Sequence, residues 1–437
     1  MVRVLLASLM VLAQAAQAQV ALPSVRLPGL PTVGLPLEVD KTLPAVTGAL
    51  DPGRLQDLRK LRVLELIRRH PTVIEPDPDG APIIRSEVLV FSPSEAIMES
   101  ARAAGFTVVR ERVLDGLDAR IVVLRAPGRT STRRALQRLR ALNPAGAYDF
   151  NHLYMDSATG SSAAAAGAAP EGGSAGAGVG AGPRARLGLI DGGVDTAHAV
   201  FRESVIHQHG CAGSQAPGAH GTAVASLMIG RSARFHGAAP GSELYAADVY
   251  CGVPTGGAVD AVADAFAWLV RERVPVINVS LVGPPNVMLE RIVRMVIAHG
   301  HIVVAAVGND GPAAPPLYPA AYPDVVGVTA VDSRQRALIE AERGRQVKFA
   351  APGADMAAAN SSQTFSTVRG TSFASPIVAG LLAAQMNEPD KAAAERAVAD
   401  LARRAVDLGA PGPDPVYGYG LVGGDVRPEP ALASLRE

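Results

Sequence analysis

Residues 274–308 read VPVINVSLVGPPNVMLERIVRMVIAHGHIVVAAVG, and they decide the architecture. VPVINVSL is an apolar run of strand length, NVMLERIVRMVIAHG carries apolar residues at helical spacing, and HIVVAAVG is a second apolar strand. Unbroken apolar strands are strands buried on both faces, and a strand–helix–strand rhythm carries the crossover that parallel pairing requires. The same rhythm extends toward the N-terminus through RLGLID (186–191), TAVASLMIG (222–230), SELYAADVY (242–250) and AVDAVADAFAWLVRE (258–272). The expected fold is α/β, a mostly parallel, doubly wound sheet. Sheets of this kind bind ligands outside the carboxyl ends of their strands, so the chemistry is expected there.

Three residues fall at such places. Asp191 ends the strand in LGLIDGGVD, His220 opens a helix in AHGTAVAS, and Ser372 opens another in RGTSFASPIVAGLLAAQM. A serine hydroxyl becomes a competent nucleophile when an imidazole takes its proton, and a buried carboxylate holds that imidazole in the required tautomer. Any one of the three alone on a turn reads as structural.

Together, in the order Asp…His…Ser, they resemble the subtilase family of serine peptidases. HGTAVAS and GTSFASP are similar to that family's histidine and serine motifs. HGAAPGSELYAADV, INVSLVG, AAVGNDG, YPAAYPDVVGVTAV and FAAPGADM extend the likeness over about residues 185–425. The resemblance implies a subtilisin-like fold and an endopeptidase working through an acyl-enzyme, with Asp191, His220 and Ser372 as its triad. It implies that the Asn309 amide and the Ser372 backbone N–H donate to the developing oxyanion. It also implies that Ser280, Leu281, Val282 and Gly283 pair with extended substrate, with Gly256 or Gly257 on the substrate's other side. Two positions depart from the family pattern. Gly192 stands where a hydroxyl residue usually follows the aspartate, and Val307 where a small residue is usual.

The N-terminal third is organised differently. MVRVLLASLMVLAQAAQAQ has a basic start, a short apolar core and the small-residue site Ala16-Gln17-Ala18, so residues 1–18 read as an export signal. Residues 19–84 hold a Pro-rich leader, LPSVRLPGLPTVGLPLEV, and a short helix over 54–69 with Leu55, Leu58, Leu61 and Val63 at helical spacing. Residues 85–155 predict strand–helix–strand–strand–helix–strand, the split βαβ order, ending in the strand AYDFNHLYM. The resemblance implies an inhibitory prodomain here, the chain's own intramolecular partner, with FNHLYM as the strand entering the cleft. Residues 156–183 collapse to Gly, Ala and Ser and read as a linker, and 184–437 as the peptidase domain.

Composition narrows the alternatives. Lys plus Arg and Asp plus Glu both number 41, which argues against a partner such as nucleic acid held by bulk charge. After removal of the signal no apolar run is long enough to span a membrane, and with Glu437 as the last residue no translocating barrel is expected. A secreted or periplasmic location follows, with protein or peptide substrates as partners. In an oxidising compartment Cys211 and Cys251 are expected to pair, two buried free thiols being the alternative. His207, His209 and Cys211 form a His-Gln-His-Gly-Cys cluster of metal-ligand type, but the sequence offers no carboxylate that clearly completes it. No metal and no cofactor are expected. Structural calcium is common in the family, yet no loop here has a convincing oxygen-rich pattern. The rival functional readings are a catalytically silent subtilase fold that binds peptides and a maturation protease dedicated to one substrate.

Overall fold

The computed structural model describes residues 52–156, 185–213 and 216–434. The export signal, the Pro-rich leader and all of the Gly/Ala/Ser linker but Asp156 lie outside these residues.

Helix α1 (Pro52–Arg69) comes first, followed by β1 (Ile74–Pro76), β2 (Pro82–Phe91), α2 (Glu95–Ala103), β3 (Thr107–Leu114), β4 (Ala119–Arg125), α3 (Thr132–Leu142) and β5 (Ala147–His152). The strands form one antiparallel sheet in the order β5-β2-β4-β3, with β1 beside the start of β2. Side chains alternate across it. Val88, Val90, Val122 and Leu124 pack with Met98, Leu136 and Leu139 of α2 and α3. Leu89, Ile121 and Val123 face the other way and join a core that includes Val262, Phe266, Leu289 and Ile292 of the larger body. Both faces are therefore covered, which is why SEVLVFS and ARIVVLRAP read as continuous apolar runs. Burial of each such side chain is worth roughly 1.5–3 kcal/mol, so the shared core is a strong attachment.

The larger body runs β7 (Arg186–Asp191), β8 (Val205–Gly210), α4 (Ala219–Ile229), β9 (Glu243–Asp248), α5 (Val259–Arg271), β10 (Val276–Val279), β11 (Leu281–Val282), α6 (Val287–Ala298), β12 (Ile302–Ala306), β13 (Val326–Val331), β14 (Val347–Pro352), α7 (Thr371–Ala383) and α8 (Lys391–Arg404). Seven of its strands make one parallel sheet in the order β14-β13-β12-β10-β7-β9-β8. Alternate residues serve two helical layers. Leu187, Leu189, Val276 and Val304 pack toward α4 and α7. Ile190, Ile277, Val303 and Ala305 pack toward α5 and α6. The order of strands reverses at β7, and a crevice opens at the carboxyl end of such a strand. Asp191 is the last residue of β7.

The segment AYDFNHLYM, expected as one strand, is divided. β5 ends at His152, Leu153 bridges to Ala258, and β6 (Met155–Asp156) pairs with β11 instead of its own sheet. No described helix is long and apolar enough to cross a membrane.

Candidate active site

Asp191 is buried at the end of β7, and His220 is the second residue of α4. Backbone contact draws them together. Gly218 N–H donates to Gly193 O at 2.8 Å, and a Cβ on Gly221 would stand 2.3 Å from Gly192 O. The first turn of α4 can approach the turn after β7 this closely because Gly221 has no side chain. The result is a 2.9 Å contact between His220 Nδ1 and Asp191 Oδ1, which also accepts from Gly192 N–H at 2.6 Å. Burial of His220 disfavours its charge, but the Asp191 carboxylate outweighs burial. With Asp156 adding to it, the pKa is pushed up to about 9. Asp191 Oδ2 accepts no hydrogen bond, in keeping with the missing hydroxyl at Gly192, and His220 Nε2 makes none either.

Ser372 is the second residue of α7 and is buried, with Oγ 3.5 Å from Ser280 O. The Phe373 ring lies 5.4 Å from the His220 ring, so this helix end and α4 meet. Pro376 has no N–H to give the Ser372 carbonyl one turn back. Ser280 Oγ donates to that carbonyl instead, at 3.1 Å, and is itself held by Asn278 Nδ2 at 2.8 Å. The proline of GTSFASP thus opens a bond that ties β10 and β11 to α7. Across the cleft, Thr371 N–H donates to Asn309 Oδ1 at 3.1 Å and Gly308 N–H to Thr371 Oγ1 at 3.2 Å. This pair of bonds fixes the Asn309 carboxamide beside the start of α7.

The cleft is filled by the chain itself. β6 pairs antiparallel with β11, Met155 opposite Val282 and Asp156 opposite Leu281. On its other side Tyr154 N–H donates to Gly257 O at 2.8 Å. The Tyr154 side chain is fully buried against Gly283, where a Cβ would come within 2.7 Å of its ring. The N-terminal antiparallel sheet is fastened beside the cleft. Arg110 forms paired hydrogen bonds to Glu87 at 2.8 and 2.7 Å and to Asp260 of α5 at 2.7 and 3.1 Å. Asn151 donates to both carboxylates, and Asp149 accepts from Val287 N–H at the start of α6 at 2.7 Å.

Cys211 and Cys251 form a disulfide that joins the end of β8 to the loop after β9, so the free-thiol alternative is set aside. His207 contacts Glu243 at 2.7 Å and His209 contacts Asp264 at 3.0 Å. Carboxylates that the sequence did not reveal therefore do lie near the two histidines, one to each. His198 receives Val200 N–H on Nδ1 and meets Thr364 O through Nε2, shaping the loop after β7.

Residues 182–420 match the family model described as the subtilase family. The chain belongs to the subtilase family. It is 30% identical to subtilisin DY of Bacillus licheniformis over 249 residues, which are 55% of this chain and 89% of that protein. It is 32% identical to subtilisin Savinase of Lederbergia lenta over 206 residues, 46% of this chain and 75% of that one. Identity to the minor extracellular protease Epr of Bacillus subtilis (strain 168) is 30% over 206 residues, 46% of this chain but only 32% of that protein's length. The crystal structure of fervidolysin from Fervidobacterium pennivorans, a keratinolytic enzyme related to subtilisin, shares the fold. It has a TM-score of 0.63 at 19% identity, over 79% of this chain and 61% of the other. That coverage exceeds what residues 184–437 can supply, so the likeness of fold reaches into the N-terminal sheet. By family the chain is a subtilase serine-type endopeptidase.

Three features of the site escaped the sequence reading: the ion pair of Arg59 on α1 with Asp310, the residue after Asn309; the Arg110–Glu87–Asp260 group; and the placing of Asp156 near His220. Each depends on residues far apart in the chain. The helical spacing over 54–69 was the only local signal for any of them.

Proposed function

We propose that the protein is an exported serine endopeptidase, made as a precursor that fills its own cleft, with Asp191, His220 and Ser372 as the triad. Ser372 Oγ attacks the scissile carbonyl while His220 Nε2 takes its proton. The Asp191 carboxylate holds the Nδ1–H tautomer and stabilises the imidazolium. The carbonyl oxygen becomes an oxyanion between the Asn309 amide and the Ser372 N–H, where the start of α7 favours negative charge. His220 gives its proton to the leaving amine, and water later releases the acyl group by the same steps. The 2.9 Å contact of His220 with Asp191 supports the orientation this requires.

The observation that carries the precursor reading is the pairing of β6 with β11. An extended peptide added to a sheet edge binds through its main chain, as a substrate does. The register sets Asp156 opposite Leu281, the residue after Ser280, whose carbonyl lies 3.5 Å from Ser372 Oγ, and this supports cleavage soon after Asp156. While both domains share one chain, their effective concentration is high and the cleft stays closed. Cleavage past Asp156 ends that advantage. Export rests on the signal-like residues 1–18, and the name of the extracellular relative from Bacillus subtilis agrees with it. Proteins and peptides are the substrates of this reading.

The unmet Asp191 Oδ2 is the one observation that favours a silent, peptide-binding fold. It removes no reacting group. Expression of the full chain separates the two readings. The wild type should yield a fragment whose new N-terminus lies between residues 157 and 184, and Ser372→Ala should accumulate as the uncut precursor. Equal processing of both would contradict self-cleavage.

A further inference from the structure

Arg59 reaches into the cleft from α1. Its Nη2 lies 3.4 Å from Val282 O on β11, and its Nε lies 3.3 Å from the carboxylate of Asp310, the residue after Asn309. A single guanidinium therefore spans two walls, the strand that β6 pairs with and the turn that carries Asn309. The recess between those walls has a built floor. Gly283 and Tyr318 exchange backbone hydrogen bonds at 2.9 and 3.0 Å, which brings Leu317 beside the strand. Leu317 N–H donates to Glu342 Oε2 at 3.2 Å. Gly308 lies above them, and a Cβ there would come within 2.7 Å of Glu342 Oε1 and 2.8 Å of Leu317 Cδ1. Glu342 is fully buried, and its Oε1 accepts no hydrogen bond.

A buried carboxyl oxygen without a donor is unfavourable unless something else supplies one. Burial first, and then the nearby Asp310, push Glu342 up to about 9. Burial also raises Asp310, against the pull of Arg59 and Arg62. The two acids lie close enough to repel each other, Glu342 buried and Asp310 17% exposed, and a cation drawn against Asp310 eases that repulsion. Arg59 is such a cation already seated at the rim.

We infer that this recess selects an arginine or lysine side chain of the substrate next to the scissile bond, through Asp310 and Glu342, and that Arg59 occupies it in the precursor. The inference rests on the endopeptidase reading above. The guanidinium matches the site well, since its donors can reach a carboxylate and a backbone carbonyl at once, as those of Arg59 do here.

The test uses full-length protein allowed to mature, and fluorogenic peptides that differ only in the residue before the scissile bond: Arg, Lys, Leu, Phe or Ala. Arg and Lys peptides should lead Leu and Phe in kcat/KM by about tenfold or more, and Asp310→Asn and Glu342→Gln should each lower the Arg-to-Leu ratio by at least about tenfold. A wild-type preference for Leu or Phe, or an Arg preference that survives both substitutions, overturns the inference and leaves the endopeptidase intact. Absence of all hydrolysis together with absence of labelling by a fluorophosphonate overturns both. Occupancy by Arg59 is read separately in the Ser372→Ala precursor, which needs no turnover. There the fluorescent amidine p-aminobenzamidine should bind at least about tenfold more tightly once Arg59→Ala is added. Equal binding with and without Arg59 shows that it does not fill the recess.

Discussion

Asp191 presents one oxygen to His220 Nδ1 at 2.9 Å and leaves its other oxygen buried without a donor. The residue that would be placed to supply one is Gly192. A Cβ built there meets nothing nearer than Tyr250 Cδ2 at 3.7 Å, an ordinary contact. A hydroxyl residue therefore fits.

Gly192→Ser should accordingly stabilise the protein by about 1 kcal/mol, the usual net value of one hydrogen bond, and should leave turnover equal or higher. Thermal or denaturant unfolding of the Ser372→Ala form, which cannot digest itself, measures this. A lower midpoint would mean that Asp191 Oδ2 is satisfied in another way.

The charge state of His220 makes processing depend on pH. Only neutral imidazole can take the Ser372 proton, and burial is outweighed by Asp191 and then Asp156, so that His220 titrates at about 9 in the precursor. Conversion should therefore speed up as pH rises through about 9. Asp156→Asn removes one of the anions that favour the imidazolium, so the acid limb should move to lower pH and conversion at pH 7 should accelerate. Rates of precursor loss on gels from pH 5 to 10 test the sign. An unchanged limb, or one displaced upward, would remove Asp156 from the account.

Much of this arrangement was legible along the chain, and the reason is physical. β7, β10 and β12 are buried on both faces, so their apolar runs stand out, and α7 carries its own start signal in GTSFASP. β8 was not legible. Its sequence VIHQHG lies at the sheet edge and is only partly buried, so it has no apolar run. The break between β5 and β6 was hidden as well, because Leu153 and Tyr154 are as apolar as a continuing strand. They are buried against Ala258 and Gly283, residues of the parallel-sheet body. Arg59 and Asp310 are separated by most of the chain, and no local pattern announces such a pair.

Arg110 holds two carboxylates that would otherwise face each other across the domain junction, Glu87 at one end and Asp260 at the other. Without Arg110, Glu87 keeps only the Asn151 amide, while Asp260 keeps Asn151 and Arg112 at 3.5 Å, so the loss falls mainly on Glu87. Arg110 is 29% exposed, so about 3 kcal/mol, the lower end of the range for buried pairs, is expected for Arg110→Ala. The consequence is earlier escape of the N-terminal domain after cleavage, seen as a shorter delay before peptide hydrolysis begins. A delay as long as in the wild type would mean that the apolar face of Leu89, Ile121 and Val123 alone holds the domains together.

The central claim is that Ser372 is the nucleophile of an active endopeptidase, and covalent labelling by a fluorophosphonate tests it most directly. Wild-type protein that has matured should be labelled at Ser372 and should hydrolyse peptides. Ser372→Ala, folded to the same degree by circular dichroism, should do neither. Labelling that persists in Ser372→Ala, or a wild type that matures yet takes up no label, would contradict the account.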